Sequence, residues 1–143
     1  MGDTNKMRVF LVEDDRVLAD LLARQFVLRG AEIVIANTGK DAINILEKDA
    51  TFNVIILDLS LPDIDGFEIL SRIKDVPVIS TIPVIVISNF AVEKDAEWAR
   101  KLGVSQFLKK VSLMPGEIVD IAFQTNEGHR TFKKSDHKGE DFR

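Results

Sequence analysis

The run Val54-Ile55-Ile56-Leu57 is apolar at four successive positions and stops at the carboxylate of Asp58. A strand with one wet face would alternate polar and apolar residues. A continuous, mostly β-branched run instead predicts a strand buried on both faces, as in a parallel sheet covered by helices. Asp58 then stands at the C-terminal end of that strand, the edge where open α/β sheets carry their reactive groups. A second run, Arg8-Val9-Phe10-Leu11-Val12, ends the same way, at Glu13-Asp14-Asp15. Two strands delivering carboxylates to one edge predict a hard-oxygen pocket suited to a divalent cation.

Helical and strand-like periods alternate along the rest of the chain. From Arg16 to about Arg29 the residues Val17, Leu18, Leu21, Leu22 and Leu28 predict a helix with an apolar stripe, and Gly30 is its stop. Glu32–Ala36 reads as the next strand. The turn Asn37-Thr38-Gly39 leads to a helix marked by Ala42, Ile43, Ile45 and Leu46. After Asp58, the polar loop carries Pro62 and two expected turn formers, Asp63 and Asp65. Phe67, Leu70 and Ile73 mark a third helix that should stop before Pro77. Val84–Ile87 is the fourth strand. A helix from about Val92 to Leu102 buries Ala96, Ala99 and Leu102 and leaves Trp98 at least partly exposed. Gln106–Lys109 is a short fifth strand, and Pro115 opens a last helix through about Phe123.

Five β/α repeats with short loops predict an α/β fold: a doubly wound, five-stranded parallel sheet, (βα)5, with helices on both faces and right-handed crossovers. One domain is expected over residues 7–124, after an N-terminal tail at 1–6. Residues 125–143 read as a polar C-terminal tail or truncated linker.

Composition narrows the chemistry. The net charge of −4 over 143 residues favours neither broad nucleic-acid binding nor anionic membranes. There is no cysteine, so disulfides, thiol catalysis and thiolate metal sites are excluded. The two histidines, His129 and His137, both lie in the polar C-terminal stretch, which excludes a histidine-based site in the core. No apolar run approaches about 18 residues, and Met1–Lys6 lacks signal-peptide character, so a cytoplasmic protein is expected.

The fourth strand brings Ser88, and the fifth Lys109-Lys110, to the edge that holds Asp14 and Asp58. Acids, a hydroxyl and an ammonium on one edge suit Mg²⁺ and a phosphoryl group. An aspartate there can attack phosphorus and become an acyl phosphate. Read alone, each motif has a plainer meaning. Glu13-Asp14-Asp15 also suits a helix start, with Asp15 as cap. Ser88 also suits a loop cap, Lys109 an ordinary surface lysine, and Phe107 a core residue.

In register, however, Leu11-Val12-Glu13-Asp14-Asp15, Leu57-Asp58-Leu59-Ser60-Leu61-Pro62-x-x-Asp65-Gly66-Phe67, Val86-Ile87-Ser88 and Gly103-x-x-x-Phe107-Leu108-x-Lys110 resemble the receiver domain of bacterial two-component response regulators. The resemblance runs from about Arg8 to Phe123. It implies a CheY-like (flavodoxin-like) fold and Mg²⁺-dependent phosphorylation by a sensor histidine kinase or phosphotransfer protein. By position it implies Asp58 as phosphoacceptor, Asp14 as direct metal ligand and Glu13 as a ligand through water. It implies the main-chain carbonyl of Ser60 as the third protein ligand. It further implies Ser88 as switch hydroxyl, Phe107 as switch aromatic and Lys110 as the phosphate-pairing lysine.

The resemblance implies a regulatory phosphoacceptor rather than an enzyme. Ser88 and Lys110 end strands four and five, and helix four between them carries the exposed Trp98 beside Phe107. The face of helix four, strand five and helix five is therefore the expected output surface for a downstream protein or a second copy. Three residues depart from the pattern. Val111 stands where proline is usual, and a cis bond before a non-proline costs about 2.5–4 kcal/mol, so Lys110–Val111 is expected trans. Asn89 replaces a small residue, and Phe107 replaces tyrosine. Two other readings remain. One is a receiver-like adaptor that works without phosphorylation. The other is a Mg²⁺-dependent aspartyl phosphohydrolase, which would want an acid where Ser60 stands.

Overall fold

The computed structural model describes residues 6–89 and 93–136, for 131–136 by backbone only. Residues 1–5 of the expected N-terminal tail, Val92 as a helix start, and 137–143 with His137 lie outside the described residues. The element order is β1 (Arg8–Val12), α1 (Arg16–Leu28), β2 (Glu32–Ala36), α2 (Gly39–Lys48), β3 (Val54–Asp58), α3 (Gly66–Asp75), α4 (Pro77–Ser80), β4 (Val84–Ser88), α5 (Glu93–Lys101), β5 (Gln106–Lys109) and α6 (Pro115–Asp136). The expected flavodoxin-like sheet is present: five parallel strands in the order β2-β1-β3-β4-β5. The third helix stops before Pro77 as expected, but Pro77 opens a one-turn helix, α4. The face written above as helix four, strand five and helix five is therefore α5, β5 and α6.

Alternating strand residues fill two cores. Phe10, Val12, Ile55, Leu57, Val84 and Val86 pack against α2, α3 and α4. Val9, Leu11, Val54, Ile56, Ile85 and Ile87 pack against α1 and α6. The three central strands are thus buried on both faces, which is why β3 and β4 are apolar without interruption. Phe52 stacks on Phe10 at 4.9 Å and closes the first core from below.

Two expectations about helices are corrected. In α1 the inward residues are Ala19, Leu22 and Phe26, with Leu18 half-buried. Val17, Leu21 and Leu28, placed on the inward stripe, are 71%, 45% and 84% exposed. Asp15 caps the helix through Val17 and Leu18 N–H, and Phe26 docks on Phe123 at 6.0 Å. Those two anchors set the rotation, and α1 carries more apolar residues than one face can bury. The last helix does not stop near Phe123 but continues to Asp136. Ile118, Val119, Ala122 and Asn126 are all buried at helical spacing, so the stripe extends past Thr125 under a polar residue. No proline interrupts this stretch, and Arg130 pairs with Glu127 at 3.9 Å.

Candidate functional site

Hydrogen bonding between strands aligns the edge. In the parallel register Leu57 lies beside Val12, so Asp58 ends β3 level with Glu13, which follows β1. On the other side Asp58 lies beside Ile87, and Ser88 beside Lys109, which puts Ser88 one residue and Lys110 two residues further out. Glu13, Asp58 and Ser88 are all buried, while Asp14 is exposed. One oxygen each from Glu13, Asp14 and Asp58 lie within 4.8 Å of one another.

Lys110 closes this acidic cluster. It lies just past β5 in a short 3-10 turn, Lys110–Ser112, and reaches back over the edge. Its Nζ lies 3.0 Å from Asp58 Oδ2 and 2.9 Å from Glu13 Oε1. Lys109, by contrast, is exposed and contributes nothing to the cluster. Burial works against the Lys110 ammonium, but hydrogen bonds to Glu13 and Asp58 outweigh it and raise its pKa. Burial pushes the Glu13 carboxyl up to about 7; the Asp15 N–H and Lys110 pull it back, and the Asp58 charge adds to the rise.

The loops around the cluster are held by their own backbone. Asp58 Oδ1 accepts from Ser60 N–H at 2.9 Å, and Glu13 Oε2 accepts from Asp15 N–H at 3.0 Å. Gly66 must be glycine, because a Cβ there would stand 2.4 Å from Leu59 Cα and 2.8 Å from its carbonyl oxygen. Asp65 caps α3 through Phe67 N–H, as a turn former should. No cis peptide bond occurs among the described residues, and Lys110–Val111 is trans.

The donor set fits a hard divalent cation. Every group offered is an oxygen, and Glu13 Oε1, fully buried, has the Lys110 ammonium as an ion-pair partner at 2.9 Å but accepts no aligned hydrogen bond. A buried oxygen with an open lone pair beside two other carboxylates is the arrangement a cation or its water satisfies.

Other expected residues fall nearby with different surroundings. Phe107 is half-buried against the α2/α3 core. Asn89 is exposed at the mouth of the edge. Trp98 is 58% exposed, as expected, and its ring meets Phe67 of α3 at 5.9 Å and 48°. Two residues escaped the sequence reading. Asp63, taken as a turn former, accepts Gly39 N–H at 2.8 Å and Lys40 N–H at 2.9 Å. Asn37 Nδ2 donates to the Glu13 carbonyl at 2.9 Å. Both partners lie far off in the chain, and no local pattern marks them.

Comparison with known proteins agrees with this geometry. A family model described as the response regulator receiver domain matches residues 9–133. An uncharacterized 14.6 kDa protein of Leptolyngbya boryana is 30% identical over 119 residues, covering 83% of this chain and 89% of that one. The response regulator SaeR of Staphylococcus epidermidis is 28% identical over 129 residues, which are 90% of this chain but only 53% of SaeR. The chain thus spans about half the length of that relative. Among solved structures, the phosphorylated cyanobacterial phytochrome response regulator RcpA superposes with a TM-score of 0.66 at 31% identity, covering 82% of this chain and 89% of that one.

Proposed function

This chain belongs to the response regulator receiver domain family, and from that premise we propose that Asp58 accepts a phosphoryl group from a histidine kinase or phosphotransfer protein. The observation that carries the reading is the Lys110 ammonium, seated between Glu13 and Asp58 at 2.9 and 3.0 Å on a strand edge where all the polar groups converge. RcpA, a relative with the same fold, has been captured in a phosphorylated form.

Asp14, Asp58 and the main-chain carbonyl of Ser60 would hold Mg²⁺, with Glu13 reached through water. When bound there, the cation offsets negative charge on the phosphoryl oxygens. The step itself belongs to Asp58: a carboxylate oxygen attacks phosphorus, the P–N bond to the donor imidazole breaks, and that bond's electron pair leaves with the nitrogen. The Asp58 oxygen bonded to Ser60 N–H is held in place, which leaves Oδ2 on the Lys110 side as the attacking atom. Lys110 then shifts its hydrogen bond from the carboxylate to a phosphoryl oxygen, and the Ser88 hydroxyl donates to another. Those two contacts pull on β4 and β5, and Phe107 and the α5–β5–α6 face respond as the output surface for a second copy or a downstream protein.

The role is regulatory, and the adaptor and phosphohydrolase readings have no comparable support: the acid–lysine pair is intact, and Ser60 stands where a general acid would be wanted. No helix among the described residues is long and apolar enough to cross a membrane, and a cysteine-free chain suits the reducing cytoplasm in which this reading places it. Acetyl phosphate with Mg²⁺ tests the assignment. Wild-type protein should gain an acid-labile phosphoryl group, Asp58→Asn none, and Lys110→Ala a group without the accompanying switch. Label on Asp63 or Asp65 overturns the choice of nucleophile; no label favours the adaptor, and turnover of many substrates an enzyme.

A further inference from the structure

We propose that Asn37 and Asp63 are positioning residues, and that the turn between β2 and α2 acts as a brace holding the two acid-bearing loops at a fixed separation. This inference rests on the reading of Asp14 and Ser60 as metal ligands. Neither Asn37 nor Asp63 supplies an oxygen to the Glu13, Asp14 and Asp58 cluster. Each instead ties the same short turn to a different loop.

On one side the turn holds the loop after β1. Glu13 N–H donates to the Ala36 carbonyl at 2.9 Å, and the Glu13 carbonyl accepts from Asn37 Nδ2 at 2.9 Å. Both main-chain groups of Glu13 are therefore fixed by residues at the end of β2, one position before Asp14. On the other side the turn holds the loop after β3. The Asp63 carboxylate accepts from Gly39 N–H with Oδ1 and from Lys40 N–H with Oδ2, at 2.8 and 2.9 Å. Asp63 lies three residues after Ser60.

The chemistry explains why the brace is firm. The first N–H groups of a helix have no partner within it. In α2 the Thr38 hydroxyl serves Asp41 N–H, and Asp63 serves Gly39 and Lys40 from another loop. A carboxylate with both oxygens engaged by N–H groups at a helix start is stabilised as the anion, and the Asp63 carboxyl lies below its ordinary pKa for that reason. Packing leaves no slack either. A Cβ on Gly39 would stand 2.8 Å from Ile69 Cδ1 and 2.9 Å from Ile64 Cβ, so the start of α2 presses directly on the loop that Asp63 belongs to. Ordinary turn-forming Asn and Asp bond within their own turn. Here the side-chain bonds span 23 or 24 residues.

If the brace sets ligand spacing, loosening it weakens the metal site without touching a ligand. The experiment measures the Mg²⁺ Kd, the rate of acetyl phosphate labelling and the thermal midpoint for wild type, Asn37→Ala, Asp63→Ala and Asp63→Asn. Outer contacts of this kind affect metal affinity by about 10–100-fold, so each alanine variant should raise the Mg²⁺ Kd about tenfold. Labelling at subsaturating Mg²⁺ should slow in step and recover at high Mg²⁺. Asp63→Asn keeps one acceptor oxygen and should fall between wild type and Asp63→Ala. A merely structural role would lower the midpoint while leaving the Kd of the folded protein unchanged. Should Asp63→Ala not fold, Asn37→Ala and Asp63→Asn, which each give up less, decide the matter. A Kd within twofold of wild type in both overturns the brace. Failure of wild type itself to bind Mg²⁺ or take label would instead overturn the functional reading beneath it.

Discussion

Replacing Glu13 by glutamine should make the metal-free protein more stable at neutral pH while weakening the site. Glu13 is 0% exposed, and burial lifts its carboxyl from 4.5 to about 7 in the folded protein. The folded state therefore binds this proton more tightly than the unfolded state does. The stabilisation it confers is complete below pH 4.5 and is lost as pH rises through about 7. The interval spans roughly 2.5 pH units, and at 1.36 kcal/mol per unit the loss is at most about 3 kcal/mol. The glutamine amide has nothing to ionise, and its oxygen can accept from Asp15 N–H as Glu13 Oε2 does. Urea unfolding in EDTA at pH 5, 6, 7 and 8, followed by Trp98 fluorescence, compares the two proteins. The two proteins differ at this one side chain, so the difference between their profiles reports Glu13. The wild type should fall relative to Glu13→Gln by up to about 3 kcal/mol between pH 5 and 8. Mg²⁺ at 100 times its Kd should return about 2.7 kcal/mol to the wild type by mass action. Parallel pH profiles for the two proteins would refute the account of Glu13 as a buried acid kept costly for the sake of a cation.

Asp14→Ala should abolish Mg²⁺ binding in a calorimetric titration, and an unchanged isotherm removes Asp14 from the ligand set. Gly66→Ala drives a Cβ into the Leu59 backbone, so it should cost roughly 1–3 kcal/mol in urea unfolding and slow labelling of Asp58; wild-type stability would mean the loop has room that the geometry denies. A beryllofluoride–Mg²⁺ mimic of the phosphate should alter amide exchange across Asn89–Lys110. Because Trp98 rests on Phe67, its emission reads the α3–α5 contact; if emission and exchange both stay unchanged while the mimic binds, the α5–β5 region is not the switch.

What could be read from the sequence was whatever depends on local pattern. Buried parallel strands announce themselves because both faces must be apolar, and Val54–Leu57 and Val84–Ile87 satisfy that without reference to anything else. The polar residue that ends such a run has nowhere to go but the edge, so Asp58, Ser88 and the acids after Val12 share it. Lys110 was separable from Lys109 only through the spacing from Phe107 that the family resemblance implies. Helix rotation was not legible in α1, since Val17, Leu21 and Leu28 are as apolar as Leu22 and Phe26; long-range docking on Phe123 chooses between them. The length of α6 was hidden because its buried stripe continues through Asn126, a residue that reads as surface. Asn37 and Asp63 were hidden for a related reason. Their types are common in turns, and only the folded chain shows that their bonds leave the turn.

The length of α6 also carries a mechanical consequence. Twenty-two residues at 1.5 Å each make a rod about 33 Å long, against about 16 Å for a five-residue strand. The rod starts at Pro115, five positions beyond the lysine that grips Asp58, and runs back past the far margin of the sheet. Its near half is pinned by Ile118, Val119 and Ala122, which makes that contact a fulcrum. A tilt of about 5° there displaces the distal end by roughly 2 Å, since about 21 Å of helix lies beyond Ala122. Should the hydrogen-bond change proposed at Asp58 tilt the rod, it would be felt on the opposite side of the molecule, with the gain set by the length of helix beyond the pinned residues.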